Sequence, residues 1–247
     1  MHDLRVREHA RQLMAAGRTT RETADLIGIP FPTVVKWRRS TPTDRNPPER
    51  CPICDGRDPP AASYGYLLGQ YLGDGHLVTS ARVPVLRIYT CTDYPVMARE
   101  VVDAVGAVRG RLPGTVAGSH SDRLLTVQSY WMHWPCLLPQ HGPGRKHERP
   151  IVLTEWQRAI VDEHPWPLIR GLIHSDGCRV INRVTVGGKT YAYPRYLFSN
   201  ESRDIQAILT AALDRVGVAW RNNRPNSVSM ARRGAVGLLD QHVGPKR

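Results

Sequence analysis

The sequence lacks any apolar run of about 18 residues, the length at which a stretch is read as a membrane span. Its first residues also lack the apolar segment of a secretory signal peptide. Cysteine is scarce and odd in number, with 5 in 247 residues; this argues for reduced thiols and against a disulfide framework. These absences predict a cytoplasmic protein, encoded by a bacterium or a phage, with no membrane partner.

Acidic residues are few beside the basic ones. The chain has 34 lysines and arginines against 22 aspartates and glutamates, and its isoelectric point is near 10.0. Such a balance is typical of proteins that bind nucleic acid or another anionic surface. We therefore expect association with nucleic acid and, in a bacterium, with the nucleoid.

A nine-residue pattern occurs twice, at 67–75 and at 169–177. Each copy predicts the last turns of a helix that carries small residues one turn apart, and a glycine that ends the helix in a left-handed conformation. The small residues are Gly69 and Gly73 in the first copy and Gly171 and Ser175 in the second; the end glycines are Gly75 and Gly177. Small residues at this spacing let two helix backbones approach closely, so we expect the two helices to pack together.

Each copy of the pattern also places an aspartate in the last helical turn, Asp74 and Asp176. Two carboxylates at adjoining helix ends repel each other unless a cation lies between them. A hard divalent ion with oxygen ligands, Mg²⁺ or Mn²⁺, suits this position. The alternative is two amphipathic helices that end in ordinary Asp-Gly turns.

At these residues the sequence resembles the two-motif, monomeric type of the LAGLIDADG homing endonuclease family. The matching letters are Gly69, Gly73, Asp74 and Gly75 in one copy and Gly171, Leu172, Ile173, Asp176 and Gly177 in the other. Glycine and serine replace the family's alanine, and Leu72 and His174 occupy the motif's other acidic position, its sixth letter. The resemblance implies an α+β fold of two pseudo-symmetric αββαββα repeats, whose strands form a DNA-binding saddle, with Asp74 and Asp176 as the metal-binding acids.

The two repeats are predicted at 63–145 and 165–247, joined by a linker at 146–164. Their endings are alike: Leu137-Leu138-Pro139-Gln140-His141 and Leu238-Leu239-Asp240-Gln241-His242 each precede a Gly/Pro turn and basic residues. Alternating polar and apolar residues predict strands at 76–80, 84–92, 109–116, 123–130, 178–186, 191–199, 218–224 and 227–233. Helical spacing predicts helices at 93–108, 200–217 and 236–243.

Residues 1–40 are predicted to form a small all-α domain of three helices. The second and third helices, around 20–28 and 31–39, resemble the helix-turn-helix of resolvases and many bacterial regulators. The third helix would then enter a major groove, with Thr33, Lys36 and Arg38 as contacts. A three-helix bundle that docks on protein is the alternative.

A Pro-rich linker is predicted at 41–62, and it contains Cys51-Pro52-Ile53-Cys54. A C-x₂-C knuckle supplies two of the four ligands of a structural zinc ion. His133 and Cys136 share the same spacing and are the predicted complement, with His141 in reserve. The alternative is two reduced surface thiols.

Arginine, asparagine and glutamine residues on the predicted strands are the candidates for DNA contact, because these side chains read guanine and adenine edges. They are Arg87, Gln128, Arg179, Arg183, Arg195, Arg221, Asn223 and Arg224. Phosphate contact or plain solubility is the alternative for each of them.

The function predicted from these features is site-specific cleavage of double-stranded DNA by a monomeric, metal-dependent homing endonuclease, with no small-molecule substrate. Carbonyl groups of Gly73 and Ser175 could complete the coordination of Mg²⁺ or Mn²⁺ beside Asp74 and Asp176. The resemblance implies a basic residue near each site, and Lys146 and Lys246 occupy equivalent places in the repeats. A non-catalytic transcriptional regulator built on the same domain is the main alternative, and an RNA-splicing maturase is a third.

Overall fold

Three short helices form the N-terminal part of the chain: α1 (Leu4–Ala15), α2 (Thr20–Ile27) and α3 (Phe31–Arg39). The structure, a computed structural model, describes residues 4–39, 51–117 and 123–247. Helix α2 begins at a capping box in which Thr19 and Glu22 each bind the other's backbone N–H. Ala10, Ala24, Val34 and Trp37 form the buried core, which agrees with the predicted all-α domain. Whether this domain binds DNA as a helix-turn-helix stays a prediction.

The chain divides into two compact units, 1–50 and 51–247, and the second contains one order of elements twice. The first copy comprises α4 (Ala61–Asp74), β1 (Gly75–Val78), β2 (Val85–Cys91), α5 (Pro95–Arg109), β3 (Gly114–Ala117), β4 (Leu124–Tyr130) and α6 (Trp134–Leu137). The second comprises α8 (Pro165–Asp176), β5 (Gly177–Val186), β6 (Lys189–Ser199), α9 (Arg203–Arg215), β7 (Arg221–Arg224), β8 (Ser227–Met230) and α10 (Arg233–His242). The predicted α+β fold of two αββαββα repeats is confirmed.

Each repeat contains a four-stranded antiparallel sheet, ordered β1-β2-β4-β3 in the first and β5-β6-β8-β7 in the second. The registers correspond, because Gly75 pairs with Ile88 and Gly177 pairs with Phe198. The hairpins differ in length: β1 and β2 pair over 4 positions and β5 and β6 over 10. The second repeat therefore extends its first hairpin further than the first repeat does.

One face of each sheet packs against the helices, and we call it the inner face. It carries buried side chains such as Ile88 and Val127 in the first sheet and Tyr196 and Phe198 in the second. Because successive side chains of a strand alternate, the residues between these belong to the opposite face, which we call the open face. The two motif helices, α4 and α8, lie at the centre of one continuous core that both repeats share.

The two predicted linkers contain more structure than their composition suggested. Residues 146–164 include a 3₁₀ turn (Lys146–Glu148) and α7 (Glu155–Glu163), whose Ile160 and Val161 are buried. Of the Pro-rich linker, 40–50 lies outside the described residues, whereas Cys51 is buried in the second unit. In the described part of the chain, no helix is both long and apolar enough to cross a membrane.

Candidate active site and nucleic-acid interface

The motif helices α4 and α8 are in backbone contact through their small residues. A Cβ atom built on Gly69 would lie 2.6 Å from the carbonyl oxygen of Leu168 and 2.8 Å from the carbonyl carbon of Gly171. A Cβ on Gly171 would overlap the carbonyl oxygen of Tyr66. The predicted close packing of the two helices is confirmed, and it explains glycines that otherwise cost about 1 kcal/mol each in a helix.

One turn further along, Gly73 meets Ser175. A Cβ on Gly73 would overlap the Ser175 side chain and would lie 3.1 Å from Oδ2 of Asp176. Glycine therefore stands at the alanine position of the first motif because serine fills the same position in the second. The contact also brings the two acidic helix ends together.

The prediction that Gly75 and Gly177 end the helices in a left-handed conformation is wrong. Gly75 has φ −91° and Gly177 has φ −104°, both extended. Glycine is required there for space, because a Cβ on Gly75 would overlap the Cα of Tyr71 and one on Gly177 would lie 2.8 Å from the Cα of Ile173. The chain turns directly from helix into strand and leaves no room for a side chain.

Asp74 and Asp176 lie at the ends of α4 and α8, half-buried and close enough that the charge of Asp176 affects the ionisation of Asp74. Burial and, after it, the charge of Asp176 raise the pKa of Asp74 to about 6, while Lys246 and Lys146 oppose the shift. Burial also raises the pKa of Asp176, against a hydrogen bond from Asn200 and both lysines. A cation between the two carboxylates would relieve this electrostatic cost.

Both lysines reach the ends of the motif helices. Lys146 donates hydrogen bonds to the carbonyls of Tyr71, Leu72 and Gly73, and Lys246 donates to the Ser175 carbonyl at 2.7 Å. Lysine has three donors, so Lys146 uses all of them to cap α4. Burial lowers the pKa of Lys146 to about 8, although Asp176 and Asp74 favour its charged form.

Asn200 is a site residue that sequence reasoning missed. Its Nδ2 donates to Oδ2 of Asp176 at 2.6 Å, and its Oδ1 accepts from the backbone of Ser202 at 2.8 Å. The corresponding residue of the first repeat is Thr90, which instead donates to the carbonyl of Leu125. The two acids therefore have unequal surroundings. An asparagine between a strand and a helix was the signal in the sequence, but it does not identify the partner.

A cleft of about 400 Å³ opens beside Asp176. Its lining includes Gly73, Lys146, Asn200 and Glu201. Asp176 is therefore accessible from the surface at this side, which a reaction on a large substrate requires.

His174, at the motif's sixth letter, is buried and does not line this cleft. Its Nδ1 lies 3.3 Å from the Tyr66 hydroxyl and 3.6 Å from Glu100, and burial lowers its pKa to about 4. Arg170 pairs with Glu100 at 2.6 Å and donates to the Val243 carbonyl. This network links the two repeats and holds the segment that carries Lys246.

The open face of each sheet carries polar and aromatic side chains. In the first sheet Arg87 of β2 lies opposite His76 of β1 and opposite Gln128 of β4 in the strand register. In the second, Arg195 lies on the open face with Tyr193 and Tyr191, whose rings stack at 6.2 Å. Arg221, Asn223 and Arg224 are exposed on β7. The structure thus brings most of the predicted contact residues onto accessible strands.

Arg179 and Arg183 depart from this arrangement: both are exposed, but the strand alternation puts them on the same side of the sheet as the inner face. Arg179 is opposite the buried Tyr196 and forms an ion pair with Asp240 at 2.7 Å, and the Tyr196 hydroxyl donates to the same carboxylate. In the N-terminal unit Thr33 is half-buried, Lys36 is exposed, and Arg38 donates to the Thr20 hydroxyl at 3.3 Å.

Cys51, Cys54, His133 and Cys136 converge on one point, as the spacing predicted. Their ligand atoms all lie within 4.8 Å of one another. The reserve ligand, His141, is not part of this group. The cluster could hold a metal ion that prefers sulfur and nitrogen.

No family model and no curated protein matches the chain. Solved structures with a similar fold include the meganuclease I-SmaMI bound to DNA, at 7% identity and TM-score 0.48 over 72% of this chain and 84% of that one. The LAGLIDADG meganuclease I-AabMI bound to uncleaved DNA is 10% identical, with a TM-score of 0.45 over 72% of this chain and 83% of that one. The N-terminal LAGLIDADG domain of DUF199/WhiA is 11% identical, with a TM-score of 0.48 over 76% of this chain and 83% of that one. These similarities concern the fold alone.

Proposed function

We propose that the chain is a divalent-metal-dependent DNA endonuclease of the homing type, which hydrolyses one phosphodiester bond in each strand of a specific duplex site. The observation that carries this proposal is the pair Asp74 and Asp176. Two repeats place their acids at adjoining helix ends, where burial disfavours both charges and the charge of Asp176 further disfavours that of Asp74. A fold that needed only packing at this point has no use for two carboxylates there.

The donor set suits Mg²⁺ or Mn²⁺, because both acids and the nearby Gly73 and Ser175 carbonyls offer oxygen. Each carbonyl accepts from a lysine and keeps a second lone pair. When bound, such ions polarise a phosphate and lower the pKa of an attacking water. The Cys51 cluster has no part in this chemistry, since its sulfur ligands do not suit a hard ion.

The two lysines are proposed to divide their work. Lys246 donates to one carbonyl and so has two donors with which to bind a phosphate oxygen as negative charge develops there. Lys146, whose donors are all engaged, fixes the end of α4 and thereby the direction of the Asp74 carboxylate. Asn200 performs a comparable positioning task for Asp176.

The open faces are proposed to bind the duplex on either side of the acids. Arg87 and Gln128 in one sheet, and Arg195 and the β7 residues in the other, have the side chains that read base edges or contact phosphates. The longer β5–β6 hairpin predicts more contacts on its side of the site. One chain supplies both acids, so a monomer suffices, and the N-terminal unit would add further contacts through Lys36.

A non-catalytic regulator is the second candidate, favoured by the three-helix N-terminal unit. It predicts binding without any need for the acids or a divalent metal. The maturase alternative has no specific observation in its favour.

The experiment that tests the proposal begins with a randomised duplex library, from which the protein selects its site in EDTA. A supercoiled plasmid carrying the selected duplex is then incubated with protein and either Mg²⁺ or EDTA. The proposal predicts linear plasmid in Mg²⁺ and none in EDTA. Tight, specific binding with no cleavage in Mg²⁺ or Mn²⁺ would favour the regulator.

A further inference from the structure

Two short segments that are distant in sequence meet at the four-residue cluster. Cys51 and Cys54 precede α4, whereas His133 and Cys136 lie between β4 and the end of α6. The Sγ of Cys54 lies 3.7 Å from the Sγ of Cys136 and 3.4 Å from the Nδ1 of His133. Cys136 Sγ and His133 Nδ1 are 4.0 Å apart.

These separations are those of ligands around one small ion. With zinc–sulfur bonds of about 2.3 Å and a tetrahedral arrangement, two sulfur ligands lie roughly 3.8 Å apart. A sulfur and a histidine nitrogen lie roughly 3.5 Å apart by the same geometry. The sulfur–sulfur distance is far longer than the ~2.05 Å of a disulfide. The cluster therefore has the size of a metal site and not of a cystine.

The backbone presents each ligand pair on a tight turn. In the first pair the N–H of Asp55 donates to the carbonyl of Cys51 at 3.0 Å. Gly56 takes the left-handed conformation that this turn requires, with φ 66°. In the second pair the N–H of Cys136 donates to the His133 carbonyl at 3.1 Å. Both turns are formed by local hydrogen bonds, so the ligands are preorganised.

The cluster is walled by core residues. Cys51 is only 2% exposed, and the indole of Trp131 packs edge-on against the His133 ring at 5.4 Å. Trp131 in turn packs against Trp134 at 5.3 Å. A site sealed in this way excludes water from at least one side.

We propose that Cys51, Cys54, His133 and Cys136 bind one structural zinc ion. Four protein ligands complete the tetrahedron and leave no position for substrate or water, which distinguishes the site from a catalytic zinc. The ion fastens the residues before α4 to the end of the first sheet. This inference is independent of the proposed nuclease activity, because it concerns other residues and a softer metal.

The test uses the full-length protein and its own free cysteines as controls. Protein washed with a mild chelator is analysed for metals, in the wild type and in Cys51→Ser, Cys136→Ser, Cys91→Ser and Cys178→Ser. Cys91 and Cys178 lie outside the cluster. We expect one zinc per chain in the wild type and in both controls, and at least a several-fold loss in Cys51→Ser and Cys136→Ser.

A spectroscopic measurement covers the case in which the ligand variants fail to fold. Wild-type protein in which Co²⁺ replaces the native metal should show thiolate-to-cobalt charge transfer and tetrahedral visible bands. A strong chelator should remove the bands and lower the Tm of the wild type. Well under one zinc per chain, iron in its place, or cobalt spectra without thiolate bands would each overturn the proposal.

Discussion

Gly69 and Gly171 face each other where the two motif helices come closest: a Cβ atom built on Gly171 would lie 3.0 Å from the Cα atom of Gly69. Neither helix can retreat without opening the core that the two repeats share. The distance between Asp74 and Asp176, two turns or less further along, is set by this contact. Packing and chemistry at this interface therefore depend on the same residues.

Replacing Gly69 with alanine should destabilise the protein by about 3 kcal/mol or more, because its Cβ would collide with backbone atoms that cannot rotate away. Gly237→Ala is the matched control: it lies in α10 with nothing within 4 Å of the added Cβ, so a gain of about 0.5–1 kcal/mol is expected. Urea unfolding of both variants checks this, and equal effects would mean that the helices are not in backbone contact.

The two lysines should differ when each is replaced by methionine. Lys146→Met removes the lysine donor from the carbonyls of Leu72 and Gly73, and leaves that of Tyr71 with the Gly75 N–H alone. This should cost about 1–3 kcal/mol of stability. Lys246→Met frees one carbonyl and should cost under about 1 kcal/mol, yet should slow cleavage strongly. Thermal unfolding without metal, beside single-turnover cleavage, separates the two roles. If Lys246→Met were the less stable variant, Lys246 and not Lys146 would be the lysine that stabilises a helix end.

The raised pKa of Asp74 makes a prediction about metal-free protein. Its folded-state pKa, about 6, exceeds the ordinary value of 3.8, so folding is penalised once the unfolded carboxyl ionises. The penalty grows from about pH 4 to pH 6 and is constant above, at no more than about 3 kcal/mol.

Asp74→Asn should therefore be more stable than the wild type at pH 7.5 in EDTA and no more stable at pH 4. Added Mg²⁺ should stabilise the wild type more than the variant. Exposed Asp103→Asn serves as the control and should change neither comparison. An Asp74→Asn protein that is less stable than the wild type at pH 7.5 in EDTA would contradict the electrostatic account.

How much of this the sequence could predict depends on the range of each interaction. The paired helices were predictable because the spacing of Gly69, Gly73 and their counterparts encodes backbone contact directly. The four proposed zinc ligands were predictable for a similar reason, since C-x₂-C and H-x₂-C are local patterns that each supply two ligands. Both features are read from residues less than two turns apart.

The sequence did not show which side of each strand faces the helices, or which distant residues meet. Alternation on β5 separates Arg179 and Arg183 from Val180 and Val184, but it does not say which set lies on the same side of the sheet as the helices. Their charge suggested that the arginines face DNA. Arg179 instead lies on the side of the helices, where it forms an ion pair with Asp240 of α10. Asn200 was missed because its partner lies 24 residues away, at the other end of the β5–β6 hairpin.

DNA binding should weaken steeply with salt, because lysines and arginines that contact phosphates release counterions.

Removing residues 1–50 should leave a folded protein, since 51–247 is a compact unit of its own. It should also lower affinity and reduce the slope of log K against log salt. Fluorescence anisotropy with the selected duplex measures both quantities. An unchanged slope and affinity would mean that the N-terminal unit has another partner.

The most direct test of the central claim compares Asp74→Asn and Asp176→Asn with the wild type and with Asp103→Asn on the selected plasmid in Mg²⁺. Loss of either acid should reduce double-strand cleavage by at least about 10²-fold, while affinity for the duplex in EDTA stays within a few-fold of the wild type. The Asp103→Asn control should cut normally. If Asp74→Asn or Asp176→Asn cleaved the plasmid at the wild-type rate, the acids would not be the catalytic centre and the account would fail.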